Sequence, residues 1–300
     1  MTGAEPVGPV LITGGRGFLG RALARVLVAA GETVVSLDLP PVGAGESGVI
    51  DVAGDIADPD AITRIVEAQG VRAIVHLAAL VIPACRADPV RGAQVNVMGH
   101  LNMLSVAVRC GIGRFVYTSS VAARPRPPLD APANLYGVWK RACEDASAVW
   151  HGEHGLASIG LRPNVVYGPG RLNGETAAIT LAIRAAARGE PYEIPFDGKM
   201  CFQHLDEVTD ILHRCLRASP PRPVVSDLTT EQHSITEVIA EIHATAPRAR
   251  ITHAPQVRLA PQGLDNSALV GLLGNWRSVT LAEGVRRTLE HYRTAGKSTL

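Results

Sequence analysis

The sequence contains few cysteines, few aromatic residues and no excess of charge of either sign. Its 300 residues include five cysteines, 4% Phe, Trp and Tyr, and 29 Lys and Arg against 28 Asp and Glu, for a formal net charge of +1. The cysteines are odd in number, lie far apart and form no C-x-x-C motif, a pattern that argues against a disulfide framework or a zinc knuckle. The balanced charge argues against a protein that binds nucleic acid independently of sequence, because such proteins carry a basic face.

Long hydrophobic runs are lacking as well. The longest apolar segments, such as Ala73–Val75 and Leu77–Ile82, have the length of a strand, whereas a membrane-spanning helix needs about 20 apolar residues. The first ten residues contain neither the basic segment nor the apolar core of a signal peptide. We therefore expect a cytoplasmic protein that has neither a membrane nor a nucleic acid as a partner.

Short apolar runs alternate with stretches of helical periodicity from Val10 to about Gly160. The runs predict five strands: Val10–Ile12, Thr33–Asp38, Val49–Val52, Ala73–Leu77 and Arg114–Thr118. The stretches between them predict helices: Phe18–Ala30, one that opens at Asp58, and Pro89–Cys110. Such alternation is typical of an α/β fold with a doubly wound parallel sheet of the Rossmann type, covered by helices on both faces.

The chain after Gly170 is less regular. Its patterns predict helices near 175–188, 205–218, 234–245 and 280–295, and short strands of a smaller lobe near 200–204 and 223–228. We interpret residues 1–170 as the Rossmann domain, and residues 171–300 mainly as a smaller C-terminal α/β lobe that binds substrate, with some segments returning to the Rossmann core.

A glycine-rich turn follows the first predicted strand and opens the first predicted helix. It contains these candidate cofactor contacts: Gly14, Gly17, Phe18, Leu19 and Gly20. Glycines there permit a tight turn and a close approach of the backbone to a pyrophosphate, which the helix N-terminus then attracts. Asp38, at the end of the second strand, would accept hydrogen bonds from ribose hydroxyls and repel a 2′-phosphate, which favours NAD over NADP. The alternative is a glycine turn beside a surface carboxylate, and Arg16 either contacts the pyrophosphate or is simply solvated.

A candidate catalytic group follows the fifth strand. Tyr136 and Lys140 are four residues apart, so a helix places them on one face. A free phenol is a poor base at neutral pH, but a nearby ammonium and a positive nicotinamide ring both favour the phenolate. Ser120 lies at the carboxyl end of a strand, where open α/β sheets bind ligands, and its hydroxyl can reach a reacting oxygen. A Y-x-x-x-K pattern alone arises often by chance; its place after Ser-Ser makes it more specific.

With these motifs the chain resembles the extended short-chain dehydrogenase/reductases, the NAD-dependent epimerase/dehydratase superfamily that includes the UDP-glucose 4-epimerase-like proteins. The likeness covers nearly the whole chain and rests on these segments: Gly54–Ile56, His76–Ala79, Asn96–Gly99, Tyr117–Ser120, Leu161–Gly170, Phe202–Val208 and Leu273–Trp276. It implies NAD as the cofactor, with Ser120 at the catalytic position, Tyr136 as the acid/base and Lys140 also binding the nicotinamide ribose.

The resemblance implies further contacts and a partner. The implied cofactor residues are Asp55 and Ile56 at adenine, Leu77, Ala78 and Ala79 beside the pyrophosphate and ribose, Asn96 on the fourth helix, and Pro163 and Val165 near the nicotinamide amide. Family members commonly dimerise through the helix predicted here at 89–110 and the helix that carries Tyr136. The first of these helices has more apolar residues than one sheet face needs: Val95, Val97, Leu101, Leu104 and Val108. We therefore expect a homodimer.

The chain departs from the family pattern at several positions. Many nucleotide-sugar members carry Arg-Asp before the Phe that matches Phe202, and that Arg holds a phosphate of the substrate; here the two positions are Met200 and Cys201. The family's dehydratases place Asp-Glu after the catalytic hydroxyl residue, whereas Val121 and Ala122 follow Ser120 and cannot transfer protons. These differences favour a small substrate over a nucleoside diphosphate and argue against dehydration.

The sequence thus predicts an NAD-dependent oxidoreductase that transfers a hydride between a secondary alcohol of a small sugar-like or sugar-acid substrate and nicotinamide. One alternative is a sugar or nucleotide-sugar epimerase that uses the same residues with recycled NAD. Another is a redox-silent regulator that senses NAD, although such a protein has no need of a base like Tyr136. No metal is expected, because His151 and His154 lack a third ligand at a suitable spacing.

Overall fold

The structure is a computed structural model that describes residues 5–41, 45–229 and 231–295. The described residues form two compact units. The first comprises those within Met1–Arg162, Thr209–Asp227 and Asp265–Trp276, and the second those within Pro163–Val208, Leu228–Leu264 and Arg277–Leu300.

The strands, numbered in chain order, alternate with helices through most of the described chain. They are β1 Val10–Thr13, β2 Val34–Asp38, β3 Val49–Ala53, β4 Ala73–His76, β5 Arg114–Thr118, β6 Ser158–Arg162, β7 Val165–Tyr167, β8 Pro191–Ile194, β9 Lys199–His204, β10 Val224–Asp227, β11 Gln232–Ser234 and β12 Arg250–His253. The α-helices are α1 Phe18–Ala29, α2 Pro59–Ala68, α3 Ile82–Ala87, α4 Pro89–Ala93, α5 Gly99–Arg109, α6 Leu135–His154, α7 Ala178–Arg188, α8 Leu205–Arg217, α9 Ile235–Thr245, α10 Ser267–Leu273 and α11 Leu281–Ala295.

The first unit is built on a seven-stranded parallel sheet in the order β10-β6-β5-β4-β1-β2-β3. The chain runs outward from β1 through β2 to β3 and then returns to β4, which pairs with the other side of β1. The strand order therefore reverses between β1 and β4, and a crevice for ligands opens at the carboxyl ends of strands at such a point. The predicted doubly wound α/β fold is confirmed.

The central strands β1 and β4 are buried and almost entirely apolar, because helices cover both faces of the sheet, and only Thr13 and His76 at their ends are polar. All four residues of β1 and of β4 are buried, as expected for a parallel sheet that is shielded from water on both sides. Side chains from β4 and β5 pack against α2 and α5 in one core that includes Ile62, Ile74, Met103, Leu104 and Phe115. This rigid core fixes the strand ends that carry the candidate site.

The predicted helix Pro89–Cys110 is one helical segment with a wider turn in its middle. Helices α4 and α5 are joined by a π-helical stretch, Gln94–Met98, which contains Asn96. Single π turns inside α-helices occur frequently at functional sites. The helical periodicity predicted the segment but not the extra residue in its turn.

The second unit has its own sheets and core. Strand β9 pairs in parallel with β7 and antiparallel with β11, and β8 pairs in parallel with β12. Helices α7, α9 and α11 supply much of the core through buried aliphatic residues: Ile179, Ile183, Val238, Ile242, Val285 and Leu289. The unit thus has an apolar interior separate from that of the first.

The strand near 223–228, predicted from the sequence to belong to the lobe, lies in the sheet of the first unit. As β10 it pairs in parallel with β6, with Val224 opposite Ile159, in the sheet of the first unit. A parallel neighbour requires a long crossover connection, and the chain between β6 and β10 includes α8.

Among the described residues, no helix combines the length and the apolar character that crossing a bilayer requires.

Candidate active site

At two positions of the glycine-rich turn, neighbouring backbone atoms leave no room for a side chain. Gly14 has a φ of +67°, and a Cβ on it would lie 2.9 Å from the backbone nitrogen of Ala78, which follows β4. A Cβ on Gly20 would collide with the carbonyl of Gly14. The first turn of α1 therefore lies directly against the loop, as a Gly-x-x-Gly-x-x-Gly fingerprint requires.

The same turn has the properties of an anion cradle. The N-cap of α1 is Gly17, which has no side chain and makes no capping bond to the first N–H groups of the helix. The N–H groups at a helix N-terminus and the positive end of the helix dipole attract phosphate. Phe18 and Leu19 form the first two residues of this helix. The arrangement fits the pyrophosphate of a dinucleotide.

Asp38 ends β2 beside the turn and is held by backbone groups. Its Oδ2 accepts a hydrogen bond from the backbone N–H of Arg16 at 3.0 Å, and its Oδ1 accepts one from Leu39 at 2.9 Å. Each carboxylate oxygen has a further lone-pair site, so Asp38 can still accept ribose hydroxyls. The Arg16 side chain makes an ion pair with Asp51 at 3.6 Å.

Asp55 and Ile56, predicted to contact adenine, follow β3. Asp55 Oδ1 accepts from the Ala57 N–H at 2.9 Å, and its other oxygen lies 3.9 Å from Arg91. Ile56 is only 5% exposed, and its side chain belongs to the core. Its carbonyl accepts a hydrogen bond from Asn102, so the Ile56 side chain and carbonyl are both engaged within the protein.

The segment after β4 is fixed from two sides. The N–H groups of Leu77 and Ala78 donate to the carbonyl and to the hydroxyl of Thr13, respectively, and this hydroxyl also lies 2.7 Å from His76 Nδ1. From the π turn, the buried Asn96 amide accepts from the Leu80 N–H at 2.8 Å and donates to its carbonyl at 2.9 Å. Asn96 thus holds the segment that contains Leu77, Ala78 and Ala79. The cofactor contact that the resemblance implies for Asn96 stays a prediction, and the structure shows in addition that its amide positions Leu80.

Lys140 connects the end of β5 to Tyr136. Helix α6 begins after Asn134, whose side chain caps the Gly137 N–H at 2.9 Å, so Tyr136 lies in the first turn and Lys140 one turn later. The Lys140 ammonium is buried and donates to the Thr118 carbonyl at 2.6 Å. It also lies 5.8 Å from the centroid of the Tyr136 ring, where a cation is attracted to the ring face.

Ser120 lies next to the start of the same helix. It caps a short 3₁₀ turn, Val121–Ala123, by accepting the Ala122 N–H at 3.1 Å. A Cβ on Gly137 would collide with the Ala122 carbonyl, so the beginning of α6 packs directly on the turn that follows Ser120. The structure therefore brings the segments of Ser120, Tyr136 and Lys140 together.

A charged network, not predicted from the sequence, joins helix α6 to the ends of β6 and β10. Glu144, one turn beyond Lys140 and 4% exposed, accepts a hydrogen bond from Ser119 and binds Arg162, whose Nε lies 2.7 Å from Oε1. Arg162 also contacts Asp227 at 3.3 Å. Burial would lower the pKa of Arg162, but the hydrogen bonds and charges of Glu144 and Asp227 raise it above its ordinary value. The helical spacing from Lys140 to Glu144 was the available signal.

Two buried histidines lie near Lys140. The His100 ring is 5.4 Å from the ring of His76 and 4.7 Å from that of Tyr117, and its Nε2 lies 2.9 Å from Ser147 Oγ. Burial and then the Lys140 charge lower the pKa of His100 to about 3. Burial, His100 and Lys140 lower the pKa of His76 well below its ordinary value. Both imidazoles are therefore neutral next to the ammonium.

The remaining predicted residues belong to the second unit. Val165 begins β7 and is 4% exposed, while Pro163 is half-buried directly before Asn164, whose N–H donates to Gln203 at 2.9 Å. Both stay predicted cofactor contacts.

Across the part of the chain that the structure describes, no group of three or more His, Cys, Asp or Glu could hold a metal ion.

Comparison with known proteins agrees with this geometry. Residues 10–225 match the NAD dependent epimerase/dehydratase family. The UDP-glucose 4-epimerase of Mycolicibacterium smegmatis is 29% identical over 309 aligned positions, which cover 94% of this chain and 98% of that protein. The 2-alkyl-3-oxoalkanoate reductase of Stenotrophomonas maltophilia is 33% identical over 179 residues, which cover 54% of this chain and 52% of that protein.

A solved structure extends the likeness to three dimensions. The UDP-glucose 4-epimerase of Thermus thermophilus, in complex with NAD, superposes with a TM-score of 0.83 at 25% identity. The match covers 96% of this chain and 99% of that one.

Removing the charge of Glu144 should destabilise the first unit. In Glu144→Gln, Arg162 keeps only Asp227 as an ionic partner among the contacts described above. Breaking a buried ion pair typically costs about 3–5 kcal/mol, so we expect a loss of roughly 3 kcal/mol in the free energy of unfolding, measured with urea. Asp145→Asn is the matched control, because its pair with Arg141 is exposed and such pairs contribute about 1 kcal/mol or less. Equal losses in the two variants would contradict the network.

The buried histidines should make stability depend on pH. An unfolded histidine binds a proton below about pH 6.5, whereas folded His100 does so only near pH 3. Stability is therefore full above pH 6.5 and falls as the pH decreases, by about 1.4 kcal/mol per pH unit for each such group. In a plot of the free energy of unfolding against pH, His100→Gln should lower the slope between pH 6 and 5 by about 1.4 kcal/mol per pH unit relative to the parent protein. An unchanged slope in His100→Gln would show that His100 protonates in the folded state.

Proposed function

The chain belongs to the NAD-dependent epimerase/dehydratase family, and on that premise we propose that it is a dehydrogenase of a small sugar-like or sugar-acid substrate. The proposed reaction moves a hydride between a secondary alcohol carbon and nicotinamide. The observation that carries the proposal is the buried Lys140 ammonium, fixed between the Thr118 carbonyl and the Tyr136 ring. This contact places Tyr136, the proposed base, near the carboxyl end of β5, and folds of this type bind ligands at the carboxyl ends of their strands.

Each of the three side chains has a distinct part. Tyr136 exchanges a proton with the substrate hydroxyl at its phenolic oxygen. Lys140 uses one of its three N–H donors on Thr118, which leaves two for the nicotinamide ribose and for the Tyr136 side chain. Ser120 accepts the Ala122 N–H, so its own O–H can donate to the reacting oxygen. Bound NAD supplies the hydride acceptor.

The size and polarity of the residues near Ser120 support a simple oxidation. Val121 and Ala122 are 6% and 5% exposed and have no group that exchanges protons, which argues against dehydration. In the second unit, Met200 and Cys201 are buried in β9 at positions where many nucleotide-sugar members carry Arg-Asp. Neither side chain can form a charge-assisted bond to phosphate. These features favour a non-nucleotide substrate.

An epimerase with recycled NAD is the second candidate. The Mycolicibacterium relative, aligned along 94% of this chain, bears the name UDP-glucose 4-epimerase. The same Ser120, Tyr136 and Lys140 would serve that reaction. A redox-silent NAD sensor has weaker support, because it needs no base.

Replacing the base tests the catalytic assignment. Tyr136→Phe should lower kcat by about 10²–10⁴-fold, the usual effect of losing general acid–base help, while NAD affinity changes little. The assay follows NADH absorbance over a panel of sugars and sugar acids. Tyr192→Phe removes a phenol from β8 in the second unit and should keep full activity. Near-normal turnover by Tyr136→Phe would contradict the assignment.

The same panel separates the two candidate reactions when it includes UDP-hexoses and the stereochemistry of the products is recorded. A dehydrogenase gives net NADH with a non-nucleotide substrate and poor activity on UDP-sugars. Rapid interconversion of UDP-hexoses without NADH release would overturn the dehydrogenase in favour of the epimerase.

We also propose that the protein is a homodimer. The segment Pro89–Arg109 and helix α6 expose large apolar side chains, namely Val90, Met98, Val108, Val138 and Val149. Leu104, counted from the sequence as surplus apolar surface, is instead 1% exposed in the core. Contiguous apolar patches mark interaction surfaces, and the proposed interface joins these side chains into one.

Sedimentation velocity at micromolar concentration should show the dimer. Val149→Glu, a change at a side chain 60% exposed on α6, should shift the distribution toward monomer because it buries a charge in the interface. Val257→Glu, at a position 65% exposed in the second unit, is the control and should leave the dimer intact. A monomeric parent protein would contradict the proposal.

A further inference from the structure

Arg16 is tied to Asp38 by its backbone and to Asp51 by its side chain. Its N–H donates to Asp38 Oδ2 at 3.0 Å, while its guanidinium lies 3.6 Å from Asp51 Oδ1. The two paired side chains are 19% and 16% exposed, so water screens this pair less than a surface pair. The backbone of Arg16 is thus held at Asp38, the carboxylate assigned to the adenosine ribose. Its guanidinium is paired with a different carboxylate, that of Asp51.

Asp51 reaches Arg16 because of strand register. It lies on β3 directly opposite Ser36 on β2, and Ser36 is two residues before Asp38. Side chains alternate along a strand and paired positions share a face, so the three side chains point to one face of the sheet. Gly15 packs on Ser36 so closely that a Cβ would collide with its hydroxyl, which places the turn on that same face.

The two other arginines near the turn are also paired with a carboxylate. Arg21 and Arg25, one helical turn apart on α1, lie 3.6 Å and 2.9 Å from Glu46. Their side chains are 39% and 54% exposed, so their pairs are the weaker ones. Arg21 also donates through Nε to the Arg16 carbonyl at 2.9 Å, which holds the backbone of Arg16 in place.

We propose that Asp51 is a specificity-determining residue for the cofactor, acting by neutralising Arg16 and holding its guanidinium away from the 2′ position of the adenosine ribose. The proposal rests on the placement of that ribose at Asp38. NADP carries a phosphate of about −1.5 to −2 charge at this position. Asp38 repels the phosphate, and the ion pair with Asp51 keeps the Arg16 guanidinium from binding it. The preference for NAD therefore depends on two carboxylates, and only Asp38 faces the cofactor.

Binding titrations with purified protein test the proposal without a substrate. The affinities for NAD and NADP are measured by calorimetry for the parent protein, Asp51→Asn and Asp60→Asn. Asp51→Asn should tighten NADP binding about tenfold, the effect of a new charge-assisted hydrogen bond, and change NAD affinity less than about threefold. Asp60→Asn removes the same charge from the exposed Arg109 pair and should change neither affinity by as much as threefold.

A double variant shows whether the gain passes through Arg16. The tightening of NADP binding should vanish in Asp51→Asn/Arg16→Met. If it persists there, or if Asp60→Asn produces it as well, net charge alone is responsible and the proposal fails. An unchanged NADP to NAD ratio in folded Asp51→Asn also overturns it.

Arg16→Gln in the parent background keeps the proposal falsifiable even where Asp51→Asn does not fold. Because Arg16 is paired with Asp51 and does not contact the phosphate under the proposal, this variant should change the ratio of NADP affinity to NAD affinity by less than about twofold. A tenfold loss of NADP affinity would show that Arg16 already binds the phosphate, contrary to the proposal. Asp38→Ala separates the premise from the inference: if NAD affinity does not fall, the ribose is elsewhere, and both the site assignment and the role of Asp51 are wrong.

Discussion

The hydrogen bond from the Lys140 ammonium to the Thr118 carbonyl is the interaction on which the geometry of the site depends. A buried ammonium is costly unless it is paired or hydrogen-bonded, and this carbonyl at the end of β5 lies 2.6 Å away. The bond fixes the first turns of α6 against the sheet edge, so Tyr136 takes its place from Lys140. One turn further on, Glu144 binds Ser119 and Arg162 and ties the same helix to the ends of β5 and β6.

Close backbone contacts shape the rest of the site. The turn after β1 meets the segment after β4 at Gly14, and helix α6 meets the turn after Ser120 at Gly137, at distances that leave no room for a side chain. Glycines at these positions bring the segments that carry the proposed phosphate-binding and proton-transferring groups to the carboxyl ends of the strands. Function is then set by the groups that line these strand ends, since a fold of this kind hosts several chemistries.

The parts of the fold that short sequence patterns determine, namely strands β1 to β5 of the first unit and the glycine-rich turn, were predicted from the sequence. The apolar runs predicted β1 through β5 to within about two residues, and the glycine spacing predicted the turn. The network of Glu144, Arg162 and Asp227 escaped prediction because its members lie 18 and 65 residues apart and only the sheet order brings them together. For the same reason the sequence did not show that β10 pairs with β6.

Some side-chain contacts could not be predicted, because a sequence motif does not show which distant residues a side chain meets in the fold. The motif that contains Asn96 does not show that its amide bonds the Leu80 backbone from a π turn. Leu104 was grouped with the apolar residues that exceed the needs of one sheet face, and it lies in the core. Arg16 was open to two interpretations from the sequence, and the register of β2 and β3 gave a third, an ion pair with Asp51.

The central claim is that Ser120, Tyr136 and Lys140 surround the reacting carbon of the nicotinamide, and a crystal structure of the NAD complex tests it most directly. We predict that Lys140 keeps its bond to Thr118 and binds the nicotinamide ribose. We also predict that Tyr136 Oη and Ser120 Oγ both lie within about 2.6–3.2 Å of one point above the nicotinamide C4, where a substrate oxygen would sit. A nicotinamide ring bound out of reach of Tyr136, or a Lys140 side chain turned away from the ribose, would contradict the account.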